Sequence, residues 1–182
     1  ISISSGYKLS TIQLLHNLEQ AYVLDLSKDS EARKEEYLSL ARMIAHKTYI
    51  SLELLSKRAK NESLYDDDLI KGFLDSPQES YMMHQGEKFV ERFTPESYNS
   101  IIQGWQNFSM DKKSISNLKN IKTLVLSVDS DVCFYPEEQI DFVNILKDNK
   151  VQTTHHMIQS TKGHDSFLLE PELFQEVLEN FL

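Results

Sequence analysis

A chain of 182 residues with 40% hydrophobic and 26% charged side chains has the length and apolar content for one globular domain with a core of its own. Its 28 acidic residues against 19 basic give a formal net charge of −9, which argues against a nucleic-acid or anionic-membrane surface, because phosphate binding needs surplus Lys and Arg. No stretch reaches the roughly 20 apolar residues of a membrane span, and the single cysteine, Cys133, excludes an internal disulfide or a Cys-based zinc site and suits a reducing compartment.

Ile1 to Ser4 alternates and then meets Ser5-Gly6, a short strand running into a loop. Ile1 to Gly6 has neither the basic n-region nor the apolar h-region of a signal peptide. With a strand at its first residue and no initiator Met, the chain is expected to be a fragment, a processed chain or one subunit of a divided protein. Residues 8 to 24 read as a helix, with Leu9, Ile12, Leu15 and Leu18 at spacings of three. Asp25 to Arg33 is polar and loop-like, and residues 34 to 47 form a second helix with Tyr37, Leu40, Ala41 and Ile44 on one face. Ser51 suits an N-cap, with Glu53 near the positive end of the helix it starts. Tyr65-Asp66-Asp67-Asp68 through Asp75-Ser76-Pro77 is charged and broken, with room for one short helix or none. A helix follows over Tyr81 to Phe93. Thr94-Pro95-Glu96 is a restart of cap, proline and acid, opening a helix with Tyr98, Ile101, Ile102, Trp105 and Phe108 as a packing stripe.

After Lys119 the character changes. Ile121 to Val128 is a β-branched apolar run of strand length, typical of a buried parallel strand. Pro136-Glu137-Glu138 opens a helix through Leu146, Val151 to Ile158 is another strand, and Pro171-Glu172 opens a last helix to Leu182. This β-loop-α-β-loop-α order requires a crossover and hence a parallel sheet. The fold class is α/β, with a helical insertion flanked by a parallel-sheet core.

In such sheets catalytic groups sit where strands end. Two such ends carry chemistry here, Asp129-Ser130-Asp131 after the first strand and Gly163-His164-Asp165 after the second. A carboxylate at one strand end and a histidine after the next fits an acid–base pair, in which the imidazole shuttles a proton and the carboxylate fixes its tautomer. Either Asp129 or Asp131 could be the acid, and an Asp in that place is also an ordinary turn residue. The remaining histidines do not suggest a metal. His155 and His156 are strand neighbours pointing to opposite faces, and His16, His46 and His84 lack a partner at ligand spacing.

Four stretches resemble the homoserine O-acetyltransferase family. They are Leu40 through Tyr49, then Gln85 through Phe93 with Ser97-Tyr98, then Asp129-Ser130-Asp131 through Gln139, and finally Gly163 through Pro171. The resemblance implies a partial α/β-hydrolase fold, a parallel-sheet core with an inserted helical lid. Residues 1–33 would end the first core segment (strand, loop and helix), 34–118 would be the lid, and 119–182 the C-terminal core. It implies that Asp131 is the triad acid and His164 the triad base. Asp165 would meet a substrate amino group, and Arg42 would bind an amino-acid carboxylate with its two-pronged guanidinium. The implied reaction is ping-pong transfer of acetyl from acetyl-CoA, a co-substrate, to the hydroxyl of L-homoserine in methionine biosynthesis. No cofactor and no metal are expected. The family's nucleophilic serine sits on a Gly-x-Ser-x-Gly-like elbow, and no such element occurs in the 182 residues; Ser4-Ser5-Gly6 lacks its spacing. The expected partners are therefore an N-terminal half carrying the nucleophile and a second copy, in a homodimer through segments 34 to 58 and 81 to 108, in the cytoplasm. The alternatives are a non-catalytic fragment or dimerisation subunit, a related serine acyltransferase, use of succinyl-CoA, or a plain hydrolase.

Overall fold

The computed structural model describes residues 1–58 and 76–182. The expectation for Tyr65 to Asp75 lies outside the described residues. By contact the chain forms two compact units, one comprising Ile1–Ser10, Thr48–Ser51 and Phe108–Leu182, the other Thr11–Lys47 and Leu52–Asn107. The first helix packs on a helix of the second unit.

The first unit is built on a parallel sheet. Strand β1 (Ser2–Ile3) pairs with β2 (Thr123–Val128), and β2 with β3 (Thr153–Ile158), in the order β1-β2-β3. Every residue of β2 is buried, as its run of apolar and β-branched residues predicts. Alternation then sends its side chains to two faces. Leu124, Leu126 and Val128 pack with Ile158 and with Phe174 of the last helix, Glu172–Phe181. Val125 packs on the other face with Phe142, Val143 and Leu146 of the helix Pro136–Asp148, and with Ile115. Each large aliphatic side chain so buried contributes about 1.5–3 kcal/mol. Helix Pro136–Asp148 ends with Lys150 at φ 62 and a bond from the Val151 N–H back to the Leu146 carbonyl, which satisfies a terminal acceptor and sends the chain into β3. The five-residue helix Lys112–Ser116 and the four-residue helix Ser166–Leu169 have no counterpart in the sequence reading.

The second unit is helical. Its elements are α1 (Thr11–Leu26), two 3-10 turns at Ser27–Asp29 and Glu31–Arg33, α2 (Lys34–Tyr49, whose last residues enter the first unit), α3 (Leu52–Arg58), α4 (Pro77–Val90) and α5 (Pro95–Gln106). Helix α4 starts four residues earlier than expected, because Ser76 and Glu79 form a reciprocal capping box around Pro77. The start of α5 matches its sequence signal, Thr94 capping Ser97 with Pro95 in the first turn. The core joins Leu24, Leu38, Ala41, Phe89, Tyr98 and Ile102.

Three helices bury faces that apolar spacing alone does not mark. On α1 the buried residues are Gln13, Asn17, Gln20 and Leu24, while Ile12, Leu15 and Leu18 are 38%, 49% and 59% exposed. The inward stripe keeps helical spacing but is largely polar, and the Gln20 carbonyl oxygen accepts from the Tyr98 hydroxyl on α5. On α2 the buried set is Leu38, Ser39, Ala41, Ala45 and His46, and Leu40 faces solvent. The stripe on α5 splits: Tyr98 and Ile102 are core, whereas Ile101 and Phe108 are exposed. Among the described residues no helix is long and apolar enough to cross a membrane.

Candidate active site at two strand ends

Asp131 lies three residues beyond the end of β2 and is 1% exposed. Its Oδ1 accepts from the backbone N–H groups of Cys133 and Phe134, both at 2.8 Å, which turns the chain toward Pro136. Its Oδ2 is 3.0 Å from His164 Nδ1. One carboxylate therefore does turn work with one oxygen and orients an imidazole with the other, so the two readings of that aspartate are not rivals. Asp129 is directed elsewhere, its Oδ1 accepting from the Ser160 N–H at 3.0 Å.

His164 is carried by a tightly held turn. Gly163 precedes it at φ 78, in the left-handed region, and a Cβ there would stand 2.6 Å from the Ser51 nitrogen. The segment Thr48–Ser51 lies along this turn. The Asp165 N–H donates to the Tyr49 carbonyl at 2.9 Å, the Ser51 N–H donates to the Lys162 carbonyl at 3.2 Å, and the Ser51 hydroxyl donates to the Thr161 carbonyl. Rings enclose the imidazole: Phe134 stacked at 5.5 Å, Tyr49 tilted at 6.2 Å and Phe167 edge-on at 5.8 Å between centroids. With the carboxylate as acceptor, Nδ1 carries the proton and Nε2 is left basic. No described residue hydrogen-bonds Nε2, and the side chain retains 18% exposure.

Cys133 sits beside this pair as a buried thiol. Burial first, then the Asp131 charge, pushes its thiol up to about 12, against an opposing hydrogen bond from Thr48. Asp165 is half-buried at the start of helix Ser166–Leu169, and its side chain does not cap that helix. The first unit thus brings Asp131, His164 and Asp165 together. Arg42 belongs to the helical unit, where its guanidinium lies 5.1 Å over the Phe89 ring with Nη2 3.4 Å from His46 Nδ1. His46 Nε2 in turn lies 3.3 Å from the Tyr81 hydroxyl. His155 meets the Ser127 hydroxyl at 2.9 Å while His156 is exposed, opposite faces as the strand dictates. Among the described residues no group of three or more His, Cys, Asp or Glu side chains is placed to hold a metal. Sequence reasoning did not assign the Thr48–Ser51 strap or Ser130 to the site, since their work is done through backbone groups and small hydroxyls.

A parallel sheet with an acid at one strand end and a histidine after the next defines an α/β-hydrolase-fold protein, here a partial one. A solved homoserine O-acetyltransferase from Bacillus anthracis shares the fold with a TM-score of 0.81 at 14% identity, over 98% of this chain and 51% of that one. Esterase E22 shares it equally, with a TM-score of 0.81 at 11% identity, over 99% of this chain and 53% of that one.

By sequence the chain is homologous to homoserine O-acetyltransferases at 31–37% identity over about 80% of its length. That of Methanobrevibacter ruminantium is 37% identical over 150 residues, 80% of this chain and 31% of the relative. That of Caulobacter vibrioides is 35% identical over 158 residues, 82% of this chain and 41% of the relative. The chain therefore spans well under half the length of these curated relatives. No family model matches the chain.

Proposed function

We propose that this chain carries the acid–base half of an acyltransferase active site, which moves acetyl from acetyl-CoA to the hydroxyl of L-homoserine. One observation carries the reading: His164 Nδ1 is held by Asp131 at 3.0 Å while Nε2 stays unbonded among the described residues. In this reading a serine supplied from outside these 182 residues gives its proton to Nε2 and attacks the thioester carbonyl. The thiol leaves with that proton, and an acetyl-serine remains. His164 then takes the homoserine hydroxyl proton, the alkoxide attacks the acetyl carbon, and the proton returns to the serine. Asp165 and Arg42 are the groups that would recognise the amino and carboxylate ends of the acceptor, by opposite charge and, for Arg42, by a two-pronged fork. The setting would be methionine biosynthesis in the cytoplasm, with two copies paired through lid helices. The homology to homoserine O-acetyltransferases supports the substrate assignment.

The test combines this chain with a polypeptide bearing the serine elbow and follows thiol release from acetyl-CoA with and without L-homoserine. O-acetylhomoserine should form, and His164→Ala in the combined protein should lower the rate by about 10⁴-fold or more. Because esterase E22 shares the fold equally, water is the rival acceptor. Thiol release that L-homoserine leaves unchanged in rate and product would make the protein a hydrolase and end the transferase reading.

A further inference from the structure

The hydroxyl of Ser130 makes two hydrogen bonds to the turn that carries His164. It donates to the Ser160 carbonyl at 2.5 Å and accepts from the Gly163 N–H at 3.0 Å. Ser160 and Gly163 are the first and fourth residues of that turn, the pair that often bond directly, carbonyl to amide. Here the Gly163 N–H goes to the Ser130 hydroxyl instead, and no direct bond joins the pair. The Ser130 hydroxyl bridges the two groups.

The surroundings leave the loop little freedom except at that bridge. Asp129 Oδ1 holds the Ser160 N–H, and the Ser160 hydroxyl accepts from the Lys162 N–H at 3.0 Å and donates to Glu170 Oε2 at 2.6 Å. On the other side the strap binds at the Lys162 carbonyl and the Asp165 N–H, packed too closely against Gly163 to admit a Cβ. Ser130 is adjacent to Asp131 in the chain, and Gly163 is adjacent to His164.

We propose that Ser130 is a positioning residue that sets the His164 imidazole against Asp131. One hydroxyl on the acid loop fixes the width of the turn that delivers the base. Without it, the Ser160 carbonyl and Gly163 N–H either bond directly, drawing the turn closed, or take up a water in a looser bridge. Both outcomes move the backbone beside His164 relative to a carboxylate that two N–H groups hold still. Displacements of about 1 Å at a reacting group cost on the order of 10²-fold in rate. The consequence for catalysis rests on the proposed role of His164; the geometric claim does not, and its test reads no turnover.

The measurement is the tautomer of His164 in the 182-residue chain, by long-range proton–nitrogen correlation of the ¹⁵N-labelled imidazole, beside a thermal melt. The wild-type ring should be predominantly the Nδ1–H form, and Asp131→Asn should abolish that bias. Ser130→Ala should shift His164 toward the Nε2–H form, and Ser130→Thr, which keeps the hydroxyl, should restore the wild-type signal. A merely structural role lowers the melting temperature and leaves the tautomer unchanged in Ser130→Ala; that result overturns the proposal, as does Ser130→Thr behaving like Ser130→Ala. Should Ser130→Ala fail to fold, Ser130→Cys, similar in shape but a weak bridge, is read against the same two outcomes. A tautomer shift on schedule alongside absent acetyl transfer in the combined wild-type protein would sink the acyltransferase reading and leave this one standing.

Discussion

His46 is 4% exposed, and its imidazole is driven down to about 4, by burial first and then by the cations of Arg42 and Arg58. In the unfolded chain it titrates near 6.5. Between those values the unfolded state binds more protons, so stability rises with pH across that window and is lost as pH falls through it. The contribution is at most about 3 kcal/mol, and solvent screening reduces it. The melting temperature of the wild-type chain should fall from pH 7 to pH 4, and His46→Gln should flatten that slope; equal slopes in both proteins would exclude His46 as its source. At this same scale the sequence was informative where chemistry demands a side chain at a strand end, as at Asp131 and His164. It could not separate Asp129 from Asp131, because both follow β2 and both accept backbone N–H groups. What separates them is the direction of a second carboxylate oxygen, and that depends on the fold.

Helices α2 and α4 approach each other so closely that a Cβ on Gly86 would meet the Ser39 hydroxyl at 2.1 Å and its carbonyl oxygen at 3.0 Å. Gly104, inside α5, has nothing within 4 Å of the same position. The two alanine substitutions should therefore have opposite signs. Gly86→Ala forces two backbones apart and should cost about 1–3 kcal/mol. Gly104→Ala removes the entropic penalty of glycine in a helix and should add about 0.5–1 kcal/mol. Chemical denaturation of both variants decides it, and a stable Gly86→Ala protein would mean that the helices are farther apart than described. Elements with their own punctuation were readable, as Thr94-Pro95 at α5 and Pro136 at helix Pro136–Asp148 show. Helices Lys112–Ser116 and Ser166–Leu169 were not, because four or five residues complete too few turns to show a period.

Each unit closes a hydrophobic core of its own, and the simplest rule is that apolar stripes face it. Helix α1 breaks it. Periodicity finds a stripe but cannot tell which stripe the fold will cover, and here Gln20 reaching Tyr98 and Leu24 in the core turn the polar side inward. The consequence for the molecule is an apolar row, Ile12, Leu15, Leu18 and Tyr22, open to water. Exposed rows of this kind promote association between molecules. Leu15→Lys with Leu18→Lys tests both the placement and its effect. Were these leucines core, each truncation or charge would cost about 2–5 kcal/mol and the chain would not survive two of them. At half exposure each should cost within about 0.5 kcal/mol. The double variant should therefore melt close to wild type while scattering less light at high concentration. Unfolding of the double variant would place those residues in the interior and overturn the exposed row.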